Sequence, residues 1–311
     1  MKKLICAALV LLLICACALA ESAHIAALKG PTAMGMVKMM DETTDTFDFQ
    51  IMAAADEITP LLVKGEIDIA ALPANLAAIL YQKTQGEIVV LNVNTLGVLY
   101  IAERGDSVHS VADLKGRTIY SAGKGSTPEY ALNYILSANG LTPGADVTVE
   151  YKSEHAECLS AIIADETALA MLPQPFMTTA MTKAEDMRTA LDLSAEWDAL
   201  GNDSAMITGV VIARRAFVEK NPEVIDNFLA QYAASVEFVN ANVAEAAQLI
   251  EKFDIVPAAV AEKAIPACNI CFISSTKMRE KLAGYLDVLF AQNPDSVGGA
   301  LPDAQFYYIA E

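Results

Sequence analysis

The sequence predicts an α/β protein built as two lobes around a cleft. Three observations carry this. Apolar runs of strand length alternate with segments of helical period. The alternation restarts near residue 117. Two local motifs recur in the same order at offsets of 100 and 95 positions. At 311 residues the chain has room for two domains of the usual ~150 residues. Its 54% apolar and 19% charged composition supports sizeable cores and excludes disorder.

Residues 24–28 read as a strand, 32–40 as a helix and 47–53 as a second strand. A helix follows over 56–64, opened by Asp56 and Glu57 and stopped at Gly65. The near-continuous apolar run 67–72 suits a strand covered on both faces. A helix at 74–83 and strands at 88–92 and 97–103 complete the first unit. In the second unit, strands are expected at 117–121, 146–151, 168–172 and 188–193, with helices at 127–138, 154–164 and 175–182. A strand at 206–213 leads out. From Arg215 onward the chain reads as helical. Asn221-Pro222-Glu223 starts one helix, and others are expected at 243–253, 257–265 and 275–290. The tail from 292 reads as loop.

The first twenty residues read as a targeting segment. Lys2 and Lys3 precede an apolar run over 4–16, of signal-peptide length and short for a membrane span. Two processing sites compete. Ala18-Leu19-Ala20 is a small-x-small cleavage signal, whereas Ile14-Cys15-Ala16-Cys17 resembles a lipobox and would make Cys17 a lipidated first residue. Either places the chain outside the cytoplasm, in the periplasm or on the outer face of the cell membrane. A net charge of −18 repels nucleic acid and anionic lipid headgroups, and no Lys/Arg-rich stripe offsets it. Cys268 and Cys271 form a C-x-x-C without the second pair or histidine that a zinc site needs. An exported setting leaves both a disulfide and two buried thiols open for them, and Cys158 is left single. Scattered His24, His109 and His155 read as structural or exposed.

The recurring motifs point to a site. Ile69-Ala70-Ala71-Leu72-Pro73-Ala74-Asn75 matches Leu169-Ala170-Met171-Leu172-Pro173-Gln174-Pro175, each a buried strand that stops at a proline before a helix. Lys29-Gly30-Pro31-Thr32 matches Lys124-Gly125-Ser126-Thr127, each between a strand and a helix. In open α/β sheets ligands sit beyond the carboxyl ends of strands, where helix N-termini present free N–H groups and partial positive charge. Gly30 and Gly125 permit close backbone approach, and Pro31 opens the helix after Gly30. Thr32, Ser126 and Thr127 can cap helices or offer hydroxyls. Asn75 and Gln174 place amides just past the prolines. Asn94 and Thr95 end an apolar strand, Phe176 can stack on a flat ligand, and Lys124 is either a cleft residue or a solvated turn lysine. The nucleotide-binding pattern G-x-x-x-x-G-K-[ST] and the nucleophile elbow G-x-S-x-G are both missing, so neither a cofactor nor a catalytic residue is assigned.

At these residues the chain resembles a known family. Ala27-Leu28-Lys29-Gly30-Pro31-Thr32, Gly65-Glu66-Ile67-Asp68-Ile69-Ala70, Asp113-Leu114-Lys115-Gly116-Arg117-Thr118-Ile119, Gly123-Lys124-Gly125-Ser126-Thr127-Pro128-Glu129-Tyr130 and Pro173-Gln174-Pro175-Phe176 are similar to segments of ABC-transporter solute-binding proteins of the nitrate, sulfonate, taurine and thiamine-pyrimidine-precursor group. The resemblance implies a type II periplasmic-binding fold. It places one lobe at 22–100 plus 207–311 and an inserted lobe at 101–206, with hinge strands near 95–100 and 206–211. It also implies a monomer that captures a small molecule by hinge closure, performs no catalysis, and hands its cargo to ABC permease and ATPase subunits. Many relatives carry an acid where this chain has Gln174, so a neutral or anionic ligand is expected here. Two other functions on this fold stay open. A sensory module would keep the cleft without the transporter. A thiamine-pyrimidine synthase would require a cysteine-rich motif that this chain lacks.

Overall fold

The computed structural model describes residues 22–43, 45–202 and 204–309. The targeting segment and Cys17 lie outside the described residues. The chain begins with β1 (Ala23–Leu28), the short helices α1 (Pro31–Met34) and α2 (Val37–Glu42), and β2 (Phe47–Met52). It continues through α3 (Ala55–Lys64), β3 (Ile69–Pro73), α4 (Ala74–Lys83) and β4 (Ile88–Leu96). It then enters the second lobe as β5 (Leu99–Arg104), followed by β6 (Thr118–Ser121), α5 (Thr127–Ala138), β7 (Thr148–Tyr151) and α6 (His155–Ala164). That lobe closes with β8 (Leu169–Pro173), α7 (Phe176–Lys183), β9 (Met187–Asp192) and α8 (Leu193–Asp198). The chain returns as β10 (Ile207–Arg214), then α9 (Arg215–Lys220), α10 (Pro222–Ala241), α11 (Val243–Lys252), α12 (Ala258–Ala264), β11 (Ile270–Ser274) and α13 (Ser275–Gln292).

Two mixed sheets result, ordered β11-β4-β10-β3-β1-β2 and β7-β6-β8-β5-β9. Each takes one antiparallel strand from a crossing of the chain between lobes. β10 lies between β3 and β4, and β5 lies between β8 and β9. The two motif strands occupy matching places beside these crossings. Pro73 pairs with Gly209, Pro173 pairs with Leu99, and both strands have four buried residues before the half-buried proline. β3 is buried on both faces, as its unbroken apolar run requires.

One core cluster runs through both lobes, from Ala26 and Leu72 to Ile119 and Leu169. Aromatic rings fill the seam. Trp197 of α8 lies 4.6 Å from Tyr134 of α5 and 5.6 Å from Tyr285 of α13. The Trp197 indole donates to Ser204 Oγ at 3.0 Å, which satisfies the buried N–H.

Three elements differ from the sequence expectation. The helix expected over 32–40 is two helices, and at their junction a Cβ on Gly35 would lie 3.0 Å from Ile270 and 3.2 Å from the Tyr232 hydroxyl. α8 was not expected, although Asp192 caps it by accepting from the Ser194 and Ala195 amides. β11 lies in the stretch read as helical. It is an edge strand that exists through pairing with Asn92, Val93 and Thr95 of β4. The C-x-x-C thiols are both free. Cys268 packs in the core on one side of the first sheet, and Cys271 packs against the core cluster on the other.

The crossing strand β10 packs without spare room. A Cβ at Gly209 would stand 2.5 Å from Asn94 Oδ1 and 2.8 Å from the Thr32 methyl. Gly209→Ala is therefore expected to lower stability by about 1–3 kcal/mol through overpacking, read as a lower denaturant midpoint with an unchanged m-value.

Candidate ligand-binding site

The lobes enclose a cavity of about 870 Å³. The first lobe contributes Lys29, Gly30, the loop 53–55, Glu57, Ile255 and Val256. The second contributes Ala122, Gly123, the segment 153–155, Pro175, Phe176 and Thr179. A smaller chamber of about 210 Å³ adjoins it, and Gly123 and His155 line both. A further cavity of about 500 Å³ lies at the opposite rim of the first sheet, at the strand start holding Ser22 and His24. There the Asp68 carboxylate accepts from Arg214 and from the His24 amide.

Helix N-termini converge on the larger cavity. α3 begins there after Ala54, α6 after Glu154 and α7 after Pro175, and none of these N-cap residues makes a side-chain cap bond. The entry to α1 is Gly30 at φ 131 and ψ −156, a conformation that L side chains avoid. Unpaired N–H groups at such termini carry partial positive charge and suit an anion. The acids at the helix starts fold back on the preceding backbone. Glu57 accepts from the Ala53 amide at 3.2 Å, and Glu157 accepts from the Ser153 amide at 3.0 Å. Lys29 pairs with exposed Asp254 at 3.3 Å at the cavity rim.

His155 is the first residue of α6. Its Nδ1 is buried with no hydrogen-bond partner, and its ring lies 5.5 Å from that of Phe176. Burial pushes the imidazole down to about 4, so it is neutral at physiological pH. A buried ring nitrogen without a partner is costly unless a ligand or water meets it.

The structure divides the residues singled out from sequence. Gly30 and Phe176 line the larger cavity, and Ser126 and Thr127 line the chamber. Pro31 is the first residue of α1 beside Gly30, and the Thr32 hydroxyl turns back to the Leu28 carbonyl at 2.8 Å. Asn94 and Thr95 are buried in β4. Asn94 donates to the Thr32 carbonyl and accepts from the Thr95 hydroxyl. Buried Gln174 caps α7, its Oε1 accepting from the Thr178 amide and hydroxyl. Lys124 is exposed, 5.7 Å from the Tyr151 ring centre, and the Gly125 amide donates to Glu129. Asn75 and Thr127 meet across the lobes. The Thr127 hydroxyl donates to Asn75 Oδ1 at 3.2 Å and accepts from Tyr285, while Asn75 donates to the Ser296 carbonyl.

Sequence reasoning did not single out the loop 53–55, Ser153, Glu154, Ile255 or Val256, and it read His155 as structural or exposed. One signal was available for His155. It stands at a helix start just after a strand, the same place that Gly30 and Ser126 occupy.

This arrangement defines a two-lobed α/β protein with a cavity between the lobes. The family model of the periplasmic substrate-binding proteins of phosphonate ABC transporters matches residues 36–263, and the chain belongs to that family. Among curated protein sequences none matches. An ABC transporter structure from Parabacteroides distasonis is similar over 93% of this chain and 99% of its own, with 26% identity and a TM-score of 0.79. The periplasmic aliphatic sulphonate binding protein SsuA from Escherichia coli shares the fold at 19% identity and a TM-score of 0.73, covering 93% of this chain and 92% of its own. The alkanesulfonate-binding protein SsuA from Xanthomonas axonopodis, bound to MOPS, shares it at 17% identity and a TM-score of 0.66, covering 87% and 93%. The resemblance read from the sequence thus holds for the family and the fold.

Two outcomes follow for these residues. Thr127→Val removes the donor to buried Asn75 Oδ1 and is expected to cost about 1–3 kcal/mol in denaturant unfolding. The unfolded chain protonates the residue-155 imidazole near its ordinary value of 6.5, but the folded chain does so only near 4. Acid therefore favours the unfolded state between those values, and stability falls as pH drops from 6.5 to 4. His155→Gln is expected to flatten that part of the stability–pH curve, and NMR titration of wild-type His155 is expected to show no midpoint above pH 5.

Proposed function

We propose that this chain is the exported, monomeric solute-binding component of an ABC importer, and that it captures a small organic oxyanion of the sulfonate or phosphonate type between its lobes without chemical change. The convergence of the α3 and α6 N-termini on one cavity, beside the unpartnered His155 Nδ1, carries this reading. Backbone N–H groups and an imidazole supply donors for several oxygens while adding no strong local charge. Glu57 and Glu157 accept from backbone amides, and exposed Glu154 at the start of α6 also lines the cavity. Gly30, Phe176 and His155 contact the solute in this reading. Asn75 and Thr127 set the relative position of the lobes, and the connections near 95–100 and 206–211 act as the hinge. The family described above supports the transporter assignment.

Thermal shift against nitrate, sulfonates, phosphonates, riboflavin and thiamine-pyrimidine precursors tests the ligand class. A true ligand at 100 times its dissociation constant adds about 2.7 kcal/mol. A shift given only by the pyrimidine precursors or riboflavin would remove the oxyanion reading. Small-angle scattering is expected to show a smaller radius of gyration with the bound oxyanion, and recovered ligand is expected to be unchanged by mass spectrometry.

A further inference from the structure

The first lobe touches the second on two flanks of the cleft, and the two contacts differ in kind. On one flank α13 packs against α5. Trp197 of α8 lies 5.6 Å from Tyr285 of α13, and among the described residues this is the one ring contact between lobes. Both residues are completely buried, as are Leu282 and Leu286 of α13 and Leu132 and Leu136 of α5, and all share one core cluster. A polar relay runs through the same seam. The Tyr285 hydroxyl donates to Thr127 Oγ1 at 3.3 Å, Thr127 donates to Asn75 Oδ1 at 3.2 Å, and Asn75 Nδ2 donates to the Ser296 carbonyl at 3.4 Å. α13 also lies against the passage that returns from the second lobe, since a Cβ at Gly284 would stand 3.3 Å from Ser204 Cβ.

On the other flank α7 faces α12. The larger cavity is lined here by Phe176 and Thr179 from one lobe and by Ile255 and Val256 from the other. α12 is mostly alanine, with Ala258, Ala259, Ala261 and Ala264 in seven residues, and Met181 of α7 is exposed. Ala267 packs against the second-lobe cluster, and its carbonyl accepts from the Tyr100 hydroxyl at 2.8 Å.

These flanks resist separation unequally. Parting the α13 seam would bring two large rings and the leucines around them into water, the surface most costly to wet. Parting α7 from α12 wets mainly small side chains beside an existing cavity. It also frees one tyrosine hydroxyl, which can exchange the Ala267 carbonyl for water at little net cost.

We propose that the α13 seam is a fixed pivot, that the lobes part only along the α7–α12 flank, and that Tyr285 is a positioning residue that holds the pivot. The solute then enters and leaves between α7 and α12. This rests on the hinge reading above and specifies which flank moves.

Distance measurement by pulsed electron resonance on the ligand-free protein tests this. Spin labels are carried on an encoded keto amino acid, which leaves the native cysteines untouched. One pair replaces exposed Ser137 of α5 and Asp287 of α13, and the other replaces exposed Met181 of α7 and Lys263 of α12. The seam pair is expected to give one narrow distance, and the α7–α12 pair a broad or two-peaked distribution. A seam distribution as broad as the other overturns the pivot and leaves the hinge reading intact. Narrow distances at both pairs overturn the pivot and the hinge reading together. Tyr285→Phe removes the donor to Thr127 while keeping the ring, and is expected to broaden the seam distance. Tyr100→Phe removes the tie to Ala267, and is expected to lengthen the α7–α12 distance alone. A hydroxyl with a merely structural role would lower the denaturant midpoint and move neither distribution. A seam distance unchanged in folded Tyr285→Phe overturns the role given to Tyr285.

Discussion

The molecule depends on β10 lying antiparallel between β3 and β4. This strand carries the chain back from the second lobe, and Val210, Val211, Ile212 and Ala213 are completely buried within it. Without it, β4 and β11 would have no connection to the strands β1, β2 and β3. β5 has the equivalent role in the second lobe, between β8 and β9. Each sheet is therefore completed by a segment that belongs to the passage between lobes. Buried backbone groups must be paired, so these passages are held firmly within each lobe. Gly209 sits at the cleft end of β10, opposite Pro73, where Asn94 and Thr32 crowd it. The proposed hinge and the cleft rim thus share residues.

The anion proposed above would need a local source of positive potential, because the protein is acidic overall. The net charge of −18 acts at long range and is screened beyond about 8 Å at physiological ionic strength. Helix N-termini act at contact distance and need no cationic side chain. Glu57 and Glu157 accept from the amides of Ala53 and Ser153, while Glu154, the N-cap of α6, lines the cavity. These bonds tie the starts of α3 and α6 to the preceding backbone, and Ala55 and His155 line the cavity.

Much of the architecture was legible because it is local. β3 and β8 are short apolar runs ended by proline, and α4 begins at the residue after Pro73. The boundaries of α4 and α5 follow from periodicity and flanking residues alone. β11 was not legible, because Ile270, Cys271, Phe272 and Ile273 form a strand through pairing with β4 rather than by their own pattern. The tight packing at the junction residue Gly35 involves Tyr232 and Ile270, distant in sequence. For the site, sequence reasoning found the right kind of place, the loop between a strand end and a helix start, but not every loop of that kind. Gly30 and Phe176 reach the cavity, whereas Lys124 points to solvent beside Tyr151. His155 was missed because a lone histidine carries no spacing signal.

The sequence by itself determined the two-lobed α/β plan, the repeated strand–proline–helix unit and the family, because these rest on short-range patterns of apolar residues, prolines and glycines. The tertiary structure alone decided which polar groups are free. Asn75, Thr127 and Gln174 have side chains suited to a ligand, yet each is buried and bonded to the protein, two of them to each other across the lobes. His155 Nδ1 is buried without a partner at the junction of the two compartments. Whether a donor is spent or available depends on neighbours tens of residues away, and no local pattern encodes those neighbours.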